Sequence, residues 1–118
     1  MFNENSTAEE VALMMNNFSY LPGAQERLIA LQGTAHISSR AEGDILVSDF
    51  VVHNWERFNA HEAALKQQRA EYGIDEQEVE AAYQLKKIAD NRIIVRIDYP
   101  RMLRAMMKGV SGAMTTGI

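Results

Sequence analysis

Apolar residues recur along this chain at steps of three and four, and polar breaks divide the runs into helical segments. The first run sets Val11, Met14, Met15 and Phe18 on one helical face. Ser6 or Thr7 stands where an N-cap belongs, with Glu9 or Glu10 as the capping-box partner. Leu21-Pro22-Gly23 ends that helix. A second apolar stretch, Leu28, Ile29 and Leu31, follows, with Gly33 as its C-terminal stop.

The strongest periodic signal follows Gly43-Asp44, which reads as a break and a cap. Ile45, Leu46, Val47, Phe50, Val51, Val52, Trp55 and Phe58 recur at helical steps, and Val51, Phe58, Leu65 and Tyr72 are spaced by seven. This predicts one long central helix of about 28 residues, roughly 42 Å if unbroken. Its first half reads as core and its second, Glu62–Glu71, as solvated.

Tyr72-Gly73-Ile74-Asp75 is a stop and a new start, with Asp75 as cap and Glu78 answering it. Ala81, Ala82, Leu85, Ile88 and Ala89 continue as a second apolar stripe, so the two helices are expected to fold back as an αα-hairpin. Arg92–Asp98 is ambiguous. Its alternation and β-branched content read as a strand that pairs with 35–38 or with its own copy in a dimer, while continuation as helix stays open. Asp98-Tyr99-Pro100 then opens a final helix, with Met102, Leu103, Met106, Met107 and Val110 on one side and Arg101, Arg104 and Lys108 on the other.

The expected fold is therefore all-α. It is a single domain over 1–118 of four or five helices, with a central long helix, an αα-hairpin and one short strand near 92–98. Residues 110–118 thin into small side chains and are expected to form a flexible tail.

Charge adds a second pattern. Ala81–Ile118 holds seven Lys and Arg against two Asp, a net of +5, whereas Asp44–Glu80 holds nine carboxylates against three cations, a net of −6. Such a split points outward to an anionic partner or inward to a neutralising contact. The whole chain carries −4 with pI near 5.3, which argues against a general nucleic-acid binder. It has no cysteine, which removes disulfides and thiolate chemistry. No stretch approaches the ~20 apolar residues of a membrane span, and Met1–Thr7 lacks the features of a signal peptide. The expected location is the cytoplasm.

Three constellations are candidates for function. Arg92, Arg96, Arg101, Arg104 and Lys108, with Met102 and Met106, suit a partner-binding surface on a cationic amphipathic helix. If the five cations all met phosphates, the log–log salt slope on duplex would be about −4 to −5. Phe50, Trp55 and Phe58 read as dimer interface or core. Asp49, His53 and Glu56, stacked on a helix, are a candidate for a metal or acid–base role, set against an ordinary solvated edge. Ser38 and Ser39 lie near His36, but a triad also needs an orienting acid and an oxyanion hole. Phosphate loops, Gly-x-Ser-x-Gly and His-Glu-x-x-His are absent from the sequence. The expectation is a non-enzymatic interaction module without a cofactor: an adaptor, regulator or assembly factor. It is expected to be homodimeric, to use the basic C-terminal helix and an acidic hairpin tip, and to bind a protein partner. Nucleic-acid binding through the C-terminal cations and a metal protein built on Asp49, His53 and Glu56 are the alternatives.

Overall fold

The computed structural model describes residues 7–116, and side chains for 7–108. The chain is α+β, not all-α: among the described residues, five helices accompany a four-stranded antiparallel sheet. The elements run α1 Ala8–Ser19, α2 Ala24–Gln32, β1 Thr34–Glu42, β2 Ile45–Val52, α3 Trp55–Glu71, α4 Glu76–Ala82, β3 Tyr83–Ala89, β4 Arg92–Asp98 and α5 Tyr99–Thr116.

The local helix signals hold. Thr7 caps α1, its Oγ1 accepting from the Glu10 N–H at 3.2 Å. Ser6 lies outside the described residues. Asp75 caps α4 through Oδ1 on the Gln77 N–H at 3.0 Å. Gly33 ends α2 in the left-handed region, and α5 starts at Tyr99-Pro100. The backbone of α5 continues as helix to Thr116, through most of the expected tail.

The expected long helix does not form. Ile45–Val52 is strand β2, and only at Asn54, whose Oδ1 accepts from the Arg57 N–H at 3.0 Å, does helix α3 begin. Gly43-Asp44 is instead a two-residue hairpin turn between paired Glu42 and Ile45. The αα-hairpin fails for a related reason. Helix α4 stops at Ala82, and Tyr83–Ala89 is strand β3, joined to β4 through Asp90-Asn91. The alternation over 92–98 is a strand, but its partners are β2 and β3.

Sheet order β1-β2-β4-β3 makes β2 and β4 central. Register assigns the faces, since directly opposed residues point the same way. Leu46, Ser48, Phe50 and Val52 of β2 oppose Ile97, Val95 and Ile93 of β4, and Tyr83 and Leu85 of β3 join them on this inner face. Helix α1 packs Ala8, Val11 and Ala12 on Leu46. Phe58 and Trp55 of α3 pack with Val52, Ile93 and Val95, and Phe50 lies against the same cluster. These three aromatics therefore belong to the core. Ala105 of α5 meets Ile74 and Val79 beside α4.

The outer face carries Arg40, Val47 and Arg96 in one row. Val47 has no exposed surface, as expected beneath the aliphatic stems of two flanking arginines. Glu42 bonds Arg96 at 3.0 Å and Arg40 at 3.1 Å, and these bonds hold its carboxyl below the usual carboxylate range.

Candidate binding surface around His36

The best-defined polar cluster sits on the inner face under α1. It depends on an irregularity in β1. His36 opposes Phe50 and Ser39 opposes Ser48, so three residues of β1 run against two of β2. This bulge turns both His36 and Ser39 inward, although three residues apart in a regular strand would place them on opposite faces. Both are buried.

The contacts then form a chain. The Ser19 hydroxyl donates to the Met15 carbonyl at 3.0 Å, so it receives its other bond from Nδ1–H of His36. Nε2 of His36 accordingly accepts from Ser39 Oγ at 2.7 Å, and Ser39 Oγ lies 2.7 Å from Ser48 Oγ. Every group is satisfied with a neutral imidazole, and burial lowers the His36 pKa, Asp49 and the Ser38 backbone opposing only in part. Two carboxamides clamp the same stretch of backbone. Gln25 gives and takes at His36 (2.7 and 2.9 Å), and Asn16 does so at Ser39 (2.9 and 2.8 Å). They occupy backbone groups that a free edge strand would offer to another chain.

A pH dependence follows. The folded state holds His36 below its ordinary pKa of 6.5, so the unfolded chain binds the proton more readily. Stability is full above pH 6.5 and falls as pH drops below it toward the folded-state pKa. Melting temperature measured from pH 8 to pH 5 should decline over this interval, and more steeply than in His36→Gln. Equal slopes would contradict a neutral, buried His36.

Beside this cluster an apolar cavity of about 470 Å³ opens between α1 and α2, lined by Met14, Met15, Phe18, Ser19, Leu28, Gln32, His36 and Phe50. Its size suits an inserted side chain or a small ligand. The surrounding surface is unusual. Among the described residues, Leu13, Met14, Phe18, Tyr20, Leu21 and Leu31 of α1, α2 and their connection are large, apolar and exposed, with only Ile37, Tyr72, Ile88 and Met107 exposed elsewhere. Val11–Gln25 contains no ionisable side chain other than the Tyr20 phenol.

As for catalysis, Ser39 and His36 resemble a nucleophile–base pair in distance alone. The other ring nitrogen faces Ser19, where a triad would have a carboxylate. Asp49 lies on the outer face, 3.5 Å from Arg40 and 3.4 Å from Ser38.

The structure does not bring the expected site residues together. Asp49 is on a strand, His53 is exposed after β2, and Glu56 is exposed in the first turn of α3. Helical spacing cannot stack them, and no group of three His, Asp or Glu suited to a metal exists among the described residues. The five cations divide between elements. Arg92 and Arg96 sit on β4, and Arg96 bonds Glu42. Arg101, Arg104 and Lys108 are exposed on α5, with Arg101 3.9 Å from Glu78. Met102 and Met106 pack half-buried against Ile74, Val79 and Ala105. Part of the charge split is thus neutralised within the molecule.

No family model, curated protein or solved structure matches this chain. Its function has to be read from its surfaces. No described helix is long and apolar enough to cross a membrane.

Proposed function

We propose that this chain is a protein-interaction module that binds its partner through the α1–α2 surface. The observation that supports it most is the set of large exposed apolar side chains on α1, α2 and their connection, of which Met14 and Phe18 line the His36 cavity and all but Leu31 fall in the charge-free stretch 11–25. A concentration of exposed apolar side chains in one part of a fold marks interaction sites on otherwise polar proteins. The cavity would receive one aromatic or aliphatic anchor, and Phe18, Tyr20 and Leu21 would close around it. The Gln25 and Asn16 clamps and the buried His36 chain hold the floor in place, so little ordering is needed on binding. The partner's contact region is apolar and uncharged at its centre, because a buried charge would find no counter-ion here. The C-terminal cations support this function less well, since Arg96 of β4 and Arg101 of α5 already have partners in the chain.

Site-specific photo-crosslinking tests the proposal. With p-benzoylphenylalanine at Tyr20, which is 86% exposed, a partner from the source cells should crosslink. Adding Phe18→Asp should weaken capture by ~30-fold or more, the loss typical of an interface aromatic. Capture from a probe at Arg104 with none from Tyr20 would move the surface to α5 and overturn the proposal. Failure at both positions would overturn it too.

A further inference from the structure

A second groove shares no lining residue with the His36 cavity. It encloses about 530 Å³ between α3, α4 and α5, with Leu65, Val79, Met102 and Met106 among its apolar walls. Arg69 and Glu76 in its lining hold each other at 2.8 and 2.9 Å and are mutually neutralised. Glu62, Glu80 and Lys66 remain, and none of them appears in an ion pair among the described residues. The groove is therefore apolar within and acidic at its lip. Its complement is an amphipathic helix whose apolar strip is flanked by cations.

Helix α5 has that form. It turns Ala105, Met102 and Met106 toward its own chain, while Met107 is 42% exposed. Leu103 and Met107 are one turn apart. Arg104 and Lys108 form a parallel strip about 100° further round. When the first strip enters a groove, the second meets one lip. Neither Arg104 nor Lys108 has an ion-pair partner among the described residues.

Self-association by strand pairing is disfavoured. Both edges of β4 are already paired, which removes strand pairing through 93–97. Of the sheet's edge strands, β1 is bulged and clamped and β3 carries Lys86 and Lys87.

We propose that α5 of a second copy occupies this groove, antiparallel to the resident α5. Leu103 and Met107 of the second copy rest on Leu65, Met102 and Met106, and its Arg104 and Lys108 meet Glu62 and Glu80. The contact is reciprocal across a two-fold axis, because the helix that forms one wall of each groove is also the guest of the other. This surface is separate from α1–α2, so the two proposals fail independently.

Light scattering coupled to gel filtration tests it on the full chain. At about 50 μM, a concentration above the dissociation constant of an ordinary stable dimer, and in low salt, the expected mass is twice the 13.3 kDa of one chain. Arg104→Glu/Lys108→Glu should be monomeric with unchanged circular dichroism, and so should Glu62→Lys/Glu80→Lys. Each should raise the dissociation constant on the order of 100-fold, since the ionic contacts of both symmetric grooves become repulsive. Mixing the two variants should restore the double mass, because in the mixed dimer each groove meets a guest helix of opposite charge, with the native polarity in one groove and the reversed polarity in the other. Phe18→Asp should dimerise normally. A wild-type chain of single mass, a dimer indifferent to both variants, or a mixture that stays monomeric would each overturn the proposal.

Discussion

Gly33→Ala should destabilise the fold by about 3–5 kcal/mol, a large share of what a domain of this size possesses. Two costs combine. Gly33 ends α2 at φ +73°, where an L side chain is strained by roughly 1–2 kcal/mol. The added Cβ would also collide with the Asn54 carbonyl oxygen and lie 3.0 Å from the Phe58 nitrogen and 3.2 Å from Arg57 Cβ. The first two are backbone atoms of the opening turn of α3, so no flexible side chain can swing aside. The Gly33 carbonyl also accepts from the His53 and Asn54 N–H groups at 2.7 and 3.1 Å. One residue thus joins α2, the start of β1 and the β2–α3 connection. Gly43 is the control. At φ +64°, with nothing within 4 Å of an added methyl, it carries the strain alone, and Gly43→Ala should cost about 1 kcal/mol. Urea unfolding of both variants measures the difference. Equal losses would mean that α3 does not press on Gly33.

The punctuation of this fold was legible in the sequence, and the sheet largely was not. Thr7, Gly33, Asp75 and Pro100 mark element ends through side-chain or backbone chemistry that acts locally. Central strand β2 misleads because it is apolar on both faces. Leu46 and Val52 point inward while Val47, on the other face, is equally buried. A continuous apolar run contains steps of three and four automatically, so helical periodicity there carries no information. The β-branched Ile45, Val47, Val51 and Val52 and the Gly43-Asp44 turn were the better guides. β3 follows α4 with no glycine or proline between them, so nothing in the local sequence marks the change at Ala82-Tyr83.

The candidate site was less legible still. His36 and Ser39 reach one face only through the bulge, and Asn16, Ser19 and Gln25 reach them from helices far along the chain. What the sequence did contain was the charge-free stretch 11–25, which takes on meaning only when Phe18, Tyr20 and Leu21 prove to be exposed. The Asp49, His53 and Glu56 grouping was a consequence of the helix assumption and disappears with it. The charge split was real in sequence, yet Arg96–Glu42 and Arg101–Glu78 use part of it inside the chain.

Ile93→Ala tests the sheet itself, and with it the floor beneath both proposed surfaces. Ile93 is 1% exposed, among the largest fully buried side chains, and packs with Val52, Phe58 and Val95 between strand neighbours Phe50 and Lys87. Its truncation should cost about 3 kcal/mol, within the range of roughly 2–5 kcal/mol for buried aliphatic side chains. A cavity of about 160 Å³ lined by Phe50, Phe58, Ile93 and Val95 already adjoins it. The space opened by the substitution would merge with that cavity, and the rigid aromatic walls leave little means of closing it. Ile94, the next residue, faces outward and is only half-buried, so Ile94→Ala should cost about 1 kcal/mol. Adjacent residues on a strand face opposite sides, whereas on a helix they lie only about 100° apart. An asymmetry of about threefold between the two variants in chemical unfolding is therefore a signature of the strand. Comparable losses would mean that 92–98 is buried equally on both sides, and the assignment of Ile93 to a covered inner face and Ile94 to an outer one would have to be abandoned.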